Sequence, residues 1–265
     1  MDKISPIQQK FISNHQKRKR FVLCLRFLIL ILFFASWELS ARIGFLDSFI
    51  FSSPSRILRC MAQMASDGSL FYHTGVTIAE TIISFFLITV IGILFAILLW
   101  LNQSLSEILE PYLVVLNSLP KTALAPVLIV WLGNNIKTII VAAVSVAVFG
   151  TILTIYTGFQ SVDPEKIKLI YTFRGTKKDI LYKVILPSTV PLIISTMKVN
   201  IGLSLVGVII GEFLAANAGL GYLIIYGSQV FKLDWVLMSI LILCLLAGIL
   251  YLLTGSLEKR YGKIK

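Results

Sequence analysis

The chain has 265 residues, of which 57% are hydrophobic and 14% charged, and its mean hydropathy is +0.89. A water-soluble domain carries far more charge on its surface, so this composition excludes one. The apolar runs are continuous and lack the in/out alternation of lipid-facing strands. We therefore expect an all-α, polytopic membrane protein with helices of about 20 apolar residues each.

The formal net charge is +11, and its distribution along the chain gives it meaning. Most of the Lys and Arg residues lie in three blocks, at 1–20, 164–187 and 259–265. The positive-inside rule places such blocks in the cytoplasm. The charge therefore indicates membrane topology and does not predict a nucleic-acid partner.

The first half of the chain begins with a basic cytoplasmic segment at 1–20, followed by a first transmembrane helix at 21–42. The loop "FLDSFIFSSPSRIL" is rich in turn residues, and Arg56 within it favours a short interfacial helix. A core of five further helices is expected at 70–258. The second span of the chain, which is the first of this core, includes Gly92 and Ala96. These small residues lie four apart and allow close helix packing.

The third span, "EPYLVVLNSLPKTALAPVLIVWLG" at 110–133, is interrupted by proline. An interior Pro removes a backbone hydrogen bond and kinks or breaks a helix. Broken backbone at membrane depth needs protein or a water-filled cavity to satisfy it. Residues 117–126 are thus either part of a translocation path or a packing kink; the candidate path residues are Ser118, Pro120, Lys121 and Pro126.

Three more spans are expected at 138–159, 192–215 and 235–257. The segment "NAGLGYLIIYGSQVFKLD" before the last of them predicts an outside loop with a short helix. Six spans that start in the cytoplasm return the basic tail at 259–265 to the cytoplasm. Both termini are therefore expected inside a cell membrane, in agreement with the charge distribution.

Catalytic and metal-binding motifs are absent from the sequence. It has no GxxxxGK[ST] phosphate loop, and its two His residues have no HExxH or other ligand spacing. We expect no catalytic residue, no metal and no cofactor bound by this chain. Charged residues inside spans are costly and are functional candidates by default. The main ones are Glu80, Lys198 and Glu212, of which Lys198 and Glu212 join the path residues.

These two residues lie 14 positions apart, about 21 Å along a helix, so they cannot pair. Lys198 either snorkels or faces the helix bundle. Glu212 either organises the outside loop or lines a path.

Four motifs occur in an order that resembles a known family: "FSSPSRIL", "LPKTALAPVLIVWLG", "GFQSVDPE" and "GEFLAANAGLGYLI". They are similar to segments of the permease subunit of ABC importers of the nitrate/sulfonate/taurine type. The resemblance covers almost the whole chain after the basic head. It implies six transmembrane helices in the type I importer (MetI-like) fold, and no enzymatic activity in this chain.

The resemblance also implies that the cytoplasmic loop at 163–187 docks on an ATPase. In the family this loop carries Glu-Ala-Ala, then Gly, then Leu-Pro. Here Leu186 and Pro187 match and are expected to end the loop before the fifth span. The first three positions hold Lys168, Leu169 and Ile170, and the Gly position falls on Arg174, with Gly175 one place late. The ATPase-coupling residues are Lys168, Leu169, Ile170, Phe173, Arg174, Gly175, Ile180, Leu186 and Pro187.

Two features of this loop can be tested by a structure. If the family Gly adopts a left-handed conformation, Arg174 in its place would cost about 1–2 kcal/mol, whereas Gly175 could adopt it freely. Two sets of residues recur at helical spacing, so each half could present an apolar face, with bases on the other face: Ile167, Ile170 and Phe173/Arg174, then Ile180, Lys183/Val184 and Pro187. Such a face fits a partner's groove or lies on lipid.

The family implies several partners: a cytoplasmic ABC ATPase dimer that uses ATP, an extracellular substrate-binding protein, and a second permease copy. The solute would be a sulfonate, taurine, nitrate or a vitamin precursor. Two alternatives are a scaffold subunit of an energy-coupling-factor importer and a stand-alone secondary transporter. The first would show two coupling helices where one is found, and the second would favour internal repeats, which are not evident.

Overall fold

The computed structural model describes residues 6–262, which contain helices and no strand. The predicted segments at 1–20 and 259–265 therefore lie partly outside the described residues. The helices are α1 Pro6–Ile43, α2 Ser48–Phe51, α3 Pro54–Ser66, α4 Ser69–Leu101, α5 Gln103–Ser118, α6 Lys121–Leu132, α7 Ile136–Gln160, α8 Pro164–Thr172, α9 Lys177–Ile180, α10 Leu186–Ala215, α11 Leu220–Gln229 and α12 Leu233–Gly262.

Five helices of the described chain are long and apolar enough to cross a membrane. The bent pair α5–α6, counted as one span, makes six. The short helices predicted after the first span and in the loop before the last one are present as α3 and α11. The predicted all-α, six-span architecture is confirmed.

The centre of the bundle is α7, which packs between α4 and α10. Gly207 and Gly211 of α10 allow the closest approach: a Cβ at Gly207 would lie 2.7 Å from the Cα of Ala143 and 3.0 Å from its carbonyl oxygen. A Cβ at Gly211 would lie 2.9 Å from the Cα of Ile139. Small residues four apart thus bring two membrane helices together, as at other small-xxx-small contacts.

The broken third span bends by 90° between α5 and α6. Pro120 stands at the break, directly before the first residue of α6, while Pro111 and Pro126 lie inside helices. Lys121 donates from Nζ to the carbonyl oxygen of Leu116, across the break. Its ammonium lies 5.2 Å from the ring centroid of Phe149 on α7.

The fifth span is longer than the sequence predicts. Leu181–Ile185 form a π-helical turn that joins α9 to α10, so the helix runs without a break from Lys177 to Ala215. Pro187 cannot donate to the carbonyl of Lys183 and its ring would crowd that oxygen, a conflict that the wider turn relieves. The expectation that Leu186 and Pro187 end the loop before the fifth span is therefore wrong.

Candidate functional site

Glu212 of α10 is the centre of a buried polar network near α11. Only 2% of it is exposed. Its Oε1 accepts a hydrogen bond from the Thr77 hydroxyl of α4 at 2.7 Å, and its Oε2 accepts from the Gly221 N–H at 2.5 Å. The carboxylate thus satisfies a free N–H group at the start of α11, where negative charge is favoured.

The start of α11 is also held by α4. The Leu220 N–H donates to Thr77 Oγ1 at 2.8 Å, and the Gly219 N–H donates to His73 Nδ1 at 3.0 Å. A Cβ at Gly221 would lie 2.7 Å from Glu212 Oε2, so the backbone can approach the carboxylate only as glycine. Of the two roles expected for Glu212, the geometry matches the one in which it organises the loop.

Glu80 of α4 is a second buried carboxyl group, and it lies beside Glu212. It is 2% exposed, and its Oε2 has no hydrogen-bond partner among the described residues. The sequence shows Glu80 as a charged residue within a span. It does not show that Glu80 lies beside Glu212, because the two residues come from different helices.

A cavity of about 390 Å³ lies between α5, α7 and α10. Half of its lining residues carry hydroxyl or amide groups: Asn117, Thr151, Thr154, Ser195, Thr196 and Asn200. Asn200 lies about 21 Å from Leu186 and about 22 Å from Ala215 along α10, which places the cavity near the middle of the span.

The predicted path residues are not brought together around this cavity. Asn117, from the predicted path segment, lines it, whereas Ser118 and the other five candidates do not. The Ser118 hydroxyl donates to the Val114 carbonyl within α5. Lys198 lies over the ring of Tyr251 on α12, 4.7 Å from its centroid. Glu212 belongs to the network at α11.

The loop at 163–187 starts with a helix cap. Asp163 accepts from the Glu165 N–H at 2.9 Å, and Pro164 is the first residue of α8. At the other end of α8 the Arg174 N–H donates to the Tyr171 carbonyl and the Gly175 N–H donates to the Ile170 carbonyl, both at 2.9 Å. This pair of bonds is a Schellman motif.

Arg174 occupies the left-handed position of that motif, with φ of +57°. The residue aligned with the family Gly thus adopts a conformation that favours Gly. Gly175 has a different reason to be small, because a Cβ there would lie 3.0 Å from the Ile170 carbonyl oxygen that it bonds. Arg174 thus takes the left-handed conformation of the turn, and the neighbouring Gly175 leaves the space that the turn needs.

The two faces of the loop differ in burial. Ile180 is completely buried, and Ile167, Ile170 and Leu186 pack against the same core cluster as Ile180. Large side chains point away from this core at the 163–187 end of the bundle: Leu169, Tyr171, Phe173 and Tyr182. Lys168, Arg174 and Pro187 are exposed as well. Tyr171 and Tyr182 are not among the coupling residues expected from the sequence, whereas Ile180 is one of them and lies in the core.

The family model described as "Binding-protein-dependent transport system inner membrane component" matches residues 88–263, more than half of the chain. The chain belongs to this family. It is thus a membrane component of a transport system, and the ATPase of such a system is a separate protein.

Relatives in this family carry names for several solutes. The formylaminopyrimidine transport permease protein ThiX of Halalkalibacterium halodurans is 32% identical over 187 residues, which cover 70% of this chain and 74% of ThiX. The putative aliphatic sulfonates transport permease protein SsuC of Bacillus subtilis is 23% identical over 247 residues, which cover 93% of this chain and 89% of SsuC. Permeases named for taurine and nitrate also match.

Solved structures agree with the fold. A chain of the inward-facing MetNI methionine ABC transporter matches with a TM-score of 0.60 and 19% identity, covering 69% of this chain and 92% of that chain. A chain of an amino acid ABC transporter matches with a TM-score of 0.58 and 15% identity, covering 77% of this chain and 98% of that chain. The predicted importer-permease fold and transport function are confirmed at the level of the family.

Proposed function

We propose that this chain is the transmembrane permease of an ATP-driven importer. It works as a homodimer with a cytoplasmic ABC ATPase dimer that uses ATP, and it receives its solute from an extracellular binding protein. The solute is of the sulfonate, taurine, nitrate or vitamin-precursor type, the classes for which relatives are named. The observation that carries the proposal is the family match over 88–263.

Both termini and the loop at 163–187 lie in the cytoplasm in this proposal, because the three basic blocks of the chain fall there. The start of α11, with its Glu212 network, then lies at the extracellular side. A solute would enter near α11, and the ATPase would act at the opposite end of the same bundle.

The ATPase docks on the exposed side of the loop. Phe173 is 75% exposed, Tyr182 68% and Leu169 56%. Large apolar side chains in such a cluster, next to exposed Lys and Arg, are typical of a protein interface more than of a bare cytoplasmic surface. Ile180 contributes by holding the loop on the core, since its side chain is not accessible to a partner.

The continuous helix from Lys177 to Ala215 supplies the mechanical link. Its 39 residues span about 58 Å, from the docking surface past the cavity to Glu212. A displacement of α9 by ATPase closure would therefore move the wall of the cavity and the support of α11 as one body. A loop that ended before the fifth span would transmit such a movement poorly.

Phe173→Glu tests the coupling. In co-purification with the ATPase from detergent, we expect at least tenfold less bound ATPase and loss of ATP-driven uptake, because a charge replaces the most exposed aromatic residue of the surface. The melting temperature of the permease should stay near wild type, since 75% of Phe173 is exposed. Phe45→Glu, at another highly exposed ring between α1 and α2, is the matched control for ATPase binding.

Wild-type ATPase binding by Phe173→Glu would refute docking at this surface. Uptake into vesicles that contain the permease without any ATPase would instead favour the secondary transporter. The binding result does not depend on knowing the solute in advance, because it is measured on the purified proteins.

A further inference from the structure

The cavity between α5, α7 and α10 contains a buried amide with an unsatisfied end. Asn200 is 2% exposed, and its Oδ1 accepts from the Thr151 hydroxyl at 3.0 Å. Its Nδ2 has no hydrogen-bond partner among the described residues. Reversing the amide would exchange its two ends and still leave one of them unpaired. A buried polar group without a partner is costly, so an occupant that pairs with it is favoured.

The surroundings of Asn200 are polar and uncharged. None of the described residues that line the cavity carries a charge. The nearby cations are engaged elsewhere: Lys121 bonds to the Leu116 carbonyl, and Lys198 lies over the Tyr251 ring. An anion at this depth without a counter-charge would be strongly disfavoured, because the medium around it is apolar.

The size and opening of the cavity suit a small organic molecule. About 390 Å³ lies within the range of ligand pockets, and the cavity has an apolar wall beside its hydroxyl and amide groups. Ser195 and Val199 on α10 are exposed where they line it, so it is accessible from the surface of this chain. A ring with hydrogen-bonding edges would contact both the apolar wall and the hydroxyl and amide groups of the cavity.

We propose that this cavity is a solute-binding site in the middle of the membrane, and that it takes an uncharged solute whose edge carries carbonyl, amino or ring-nitrogen groups, as amides and nitrogen heterocycles do. Asn200 pairs with that edge, and Thr151 fixes the orientation of the Asn200 amide. This inference rests on the proposed transport function and narrows its solute: a heterocyclic compound is favoured over nitrate or a sulfonate.

The class of solute is tested first. The partner binding protein is screened by thermal shift with an uncharged aminopyrimidine, nitrate and an alkylsulfonate. Stabilisation by the aminopyrimidine supports the inference. Stabilisation by the anions alone overturns it.

The site itself is tested by uptake of the stabilising probe into proteoliposomes that contain the permease, its ATPase and the loaded binding protein. Asn200→Leu keeps the approximate volume and removes the amide; we expect KM to rise about tenfold, the effect of losing roughly 1.4 kcal/mol of hydrogen bonding. Thr151→Val should raise KM severalfold. Thr89→Val is the matched control: this buried Thr lies on α4 and does not line the cavity.

The outcomes separate the two proposals. Wild-type KM in both cavity variants, with ATP-driven uptake intact, overturns the site and leaves the importer function standing. Absence of ATP-driven uptake in the wild-type complex overturns the function, whatever the cavity variants do. If Asn200→Leu fails to assemble with the ATPase, the comparison of Thr151→Val with Thr89→Val decides.

Discussion

At the α11 end of the bundle the start of α11 is held by polar contacts within the chain, whereas at the 163–187 end large apolar side chains are left exposed. Glu212 accepts from Thr77 and Gly221, and a buried Glu80 lies beside it. At the opposite end Phe173 is 75% exposed and Tyr182 68%. Exposed apolar patches of this kind are typical of protein interaction sites. This difference supports the proposal that the ATPase docks at the 163–187 end.

The largest effect is expected from Glu212→Ala. Removal of the carboxylate leaves the Gly221 N–H and the Thr77 hydroxyl buried without their acceptor, at about 1–3 kcal/mol for each group. We expect the free energy of unfolding in detergent to fall by about 2–4 kcal/mol, and proteolysis to become faster around α11. Thermal unfolding and limited proteolysis measure the two effects.

Glu110→Ala is the control for Glu212→Ala, because Glu110 is an exposed glutamate on α5. The loss of stability in Glu212→Gln should lie between the losses in these two variants, because the amide keeps one acceptor oxygen. Equal losses in Glu212→Ala and Glu110→Ala would show that the network does not stabilise the α11 end.

Gly207→Ala tests the close packing of α10 against α7. The added Cβ would press on the backbone of Ala143, which cannot rotate away, so α7 and α10 would have to separate. Overpacking of this kind costs about 1–3 kcal/mol. We expect a lower melting temperature in detergent, with the change concentrated in the half of α10 that supports α11.

Gly202→Ala is the matched control for Gly207→Ala on the same helix. A Cβ at Gly202 would meet no atom within 4 Å, so the better helix propensity of Ala should leave stability equal or slightly raised. If both variants were equally stable, close α7–α10 packing would not be what fixes this region.

The sequence predicts the spans well because their signals are local. Apolar length, prolines and the cap at Asp163 are each contained in one short stretch. The sidedness of the loop is not local: Ile170 and Phe173 both fit an apolar face, and only the packed core decides that Ile170 turns inward. In a membrane helix the lipid-facing and protein-facing sides are both apolar, so periodicity does not distinguish them.

The cavity and the Glu80–Glu212 pair are the parts that the sequence could not supply. Thr151 and Asn200 come from two spans, and ordinary Thr and Asn residues within them give no sign that they meet. Glu80 and Glu212 are visible as intramembrane charges, yet their proximity depends on the packing of α4 against α10. The continuity of the helix through Pro187 depends on a π-helical turn that has no clear sequence signature.

The smallest effect, a stabilising one, is expected at the 163–187 end. Arg174→Gly removes about 1–2 kcal/mol of backbone strain from the folded state, because Gly adopts the left-handed conformation freely. It also gives the unfolded chain more conformational freedom, which lowers stability by about 0.4–1 kcal/mol. We therefore expect a net gain of about 0.5–1 kcal/mol, seen as a rise of a few degrees or less in melting temperature. Gly175→Ala next to it should have the opposite sign, because its Cβ would lie 3.0 Å from the Ile170 carbonyl oxygen that closes the turn. A loss of stability in Arg174→Gly would mean that the arginine side chain, and not the backbone of the turn, is what holds this loop in place.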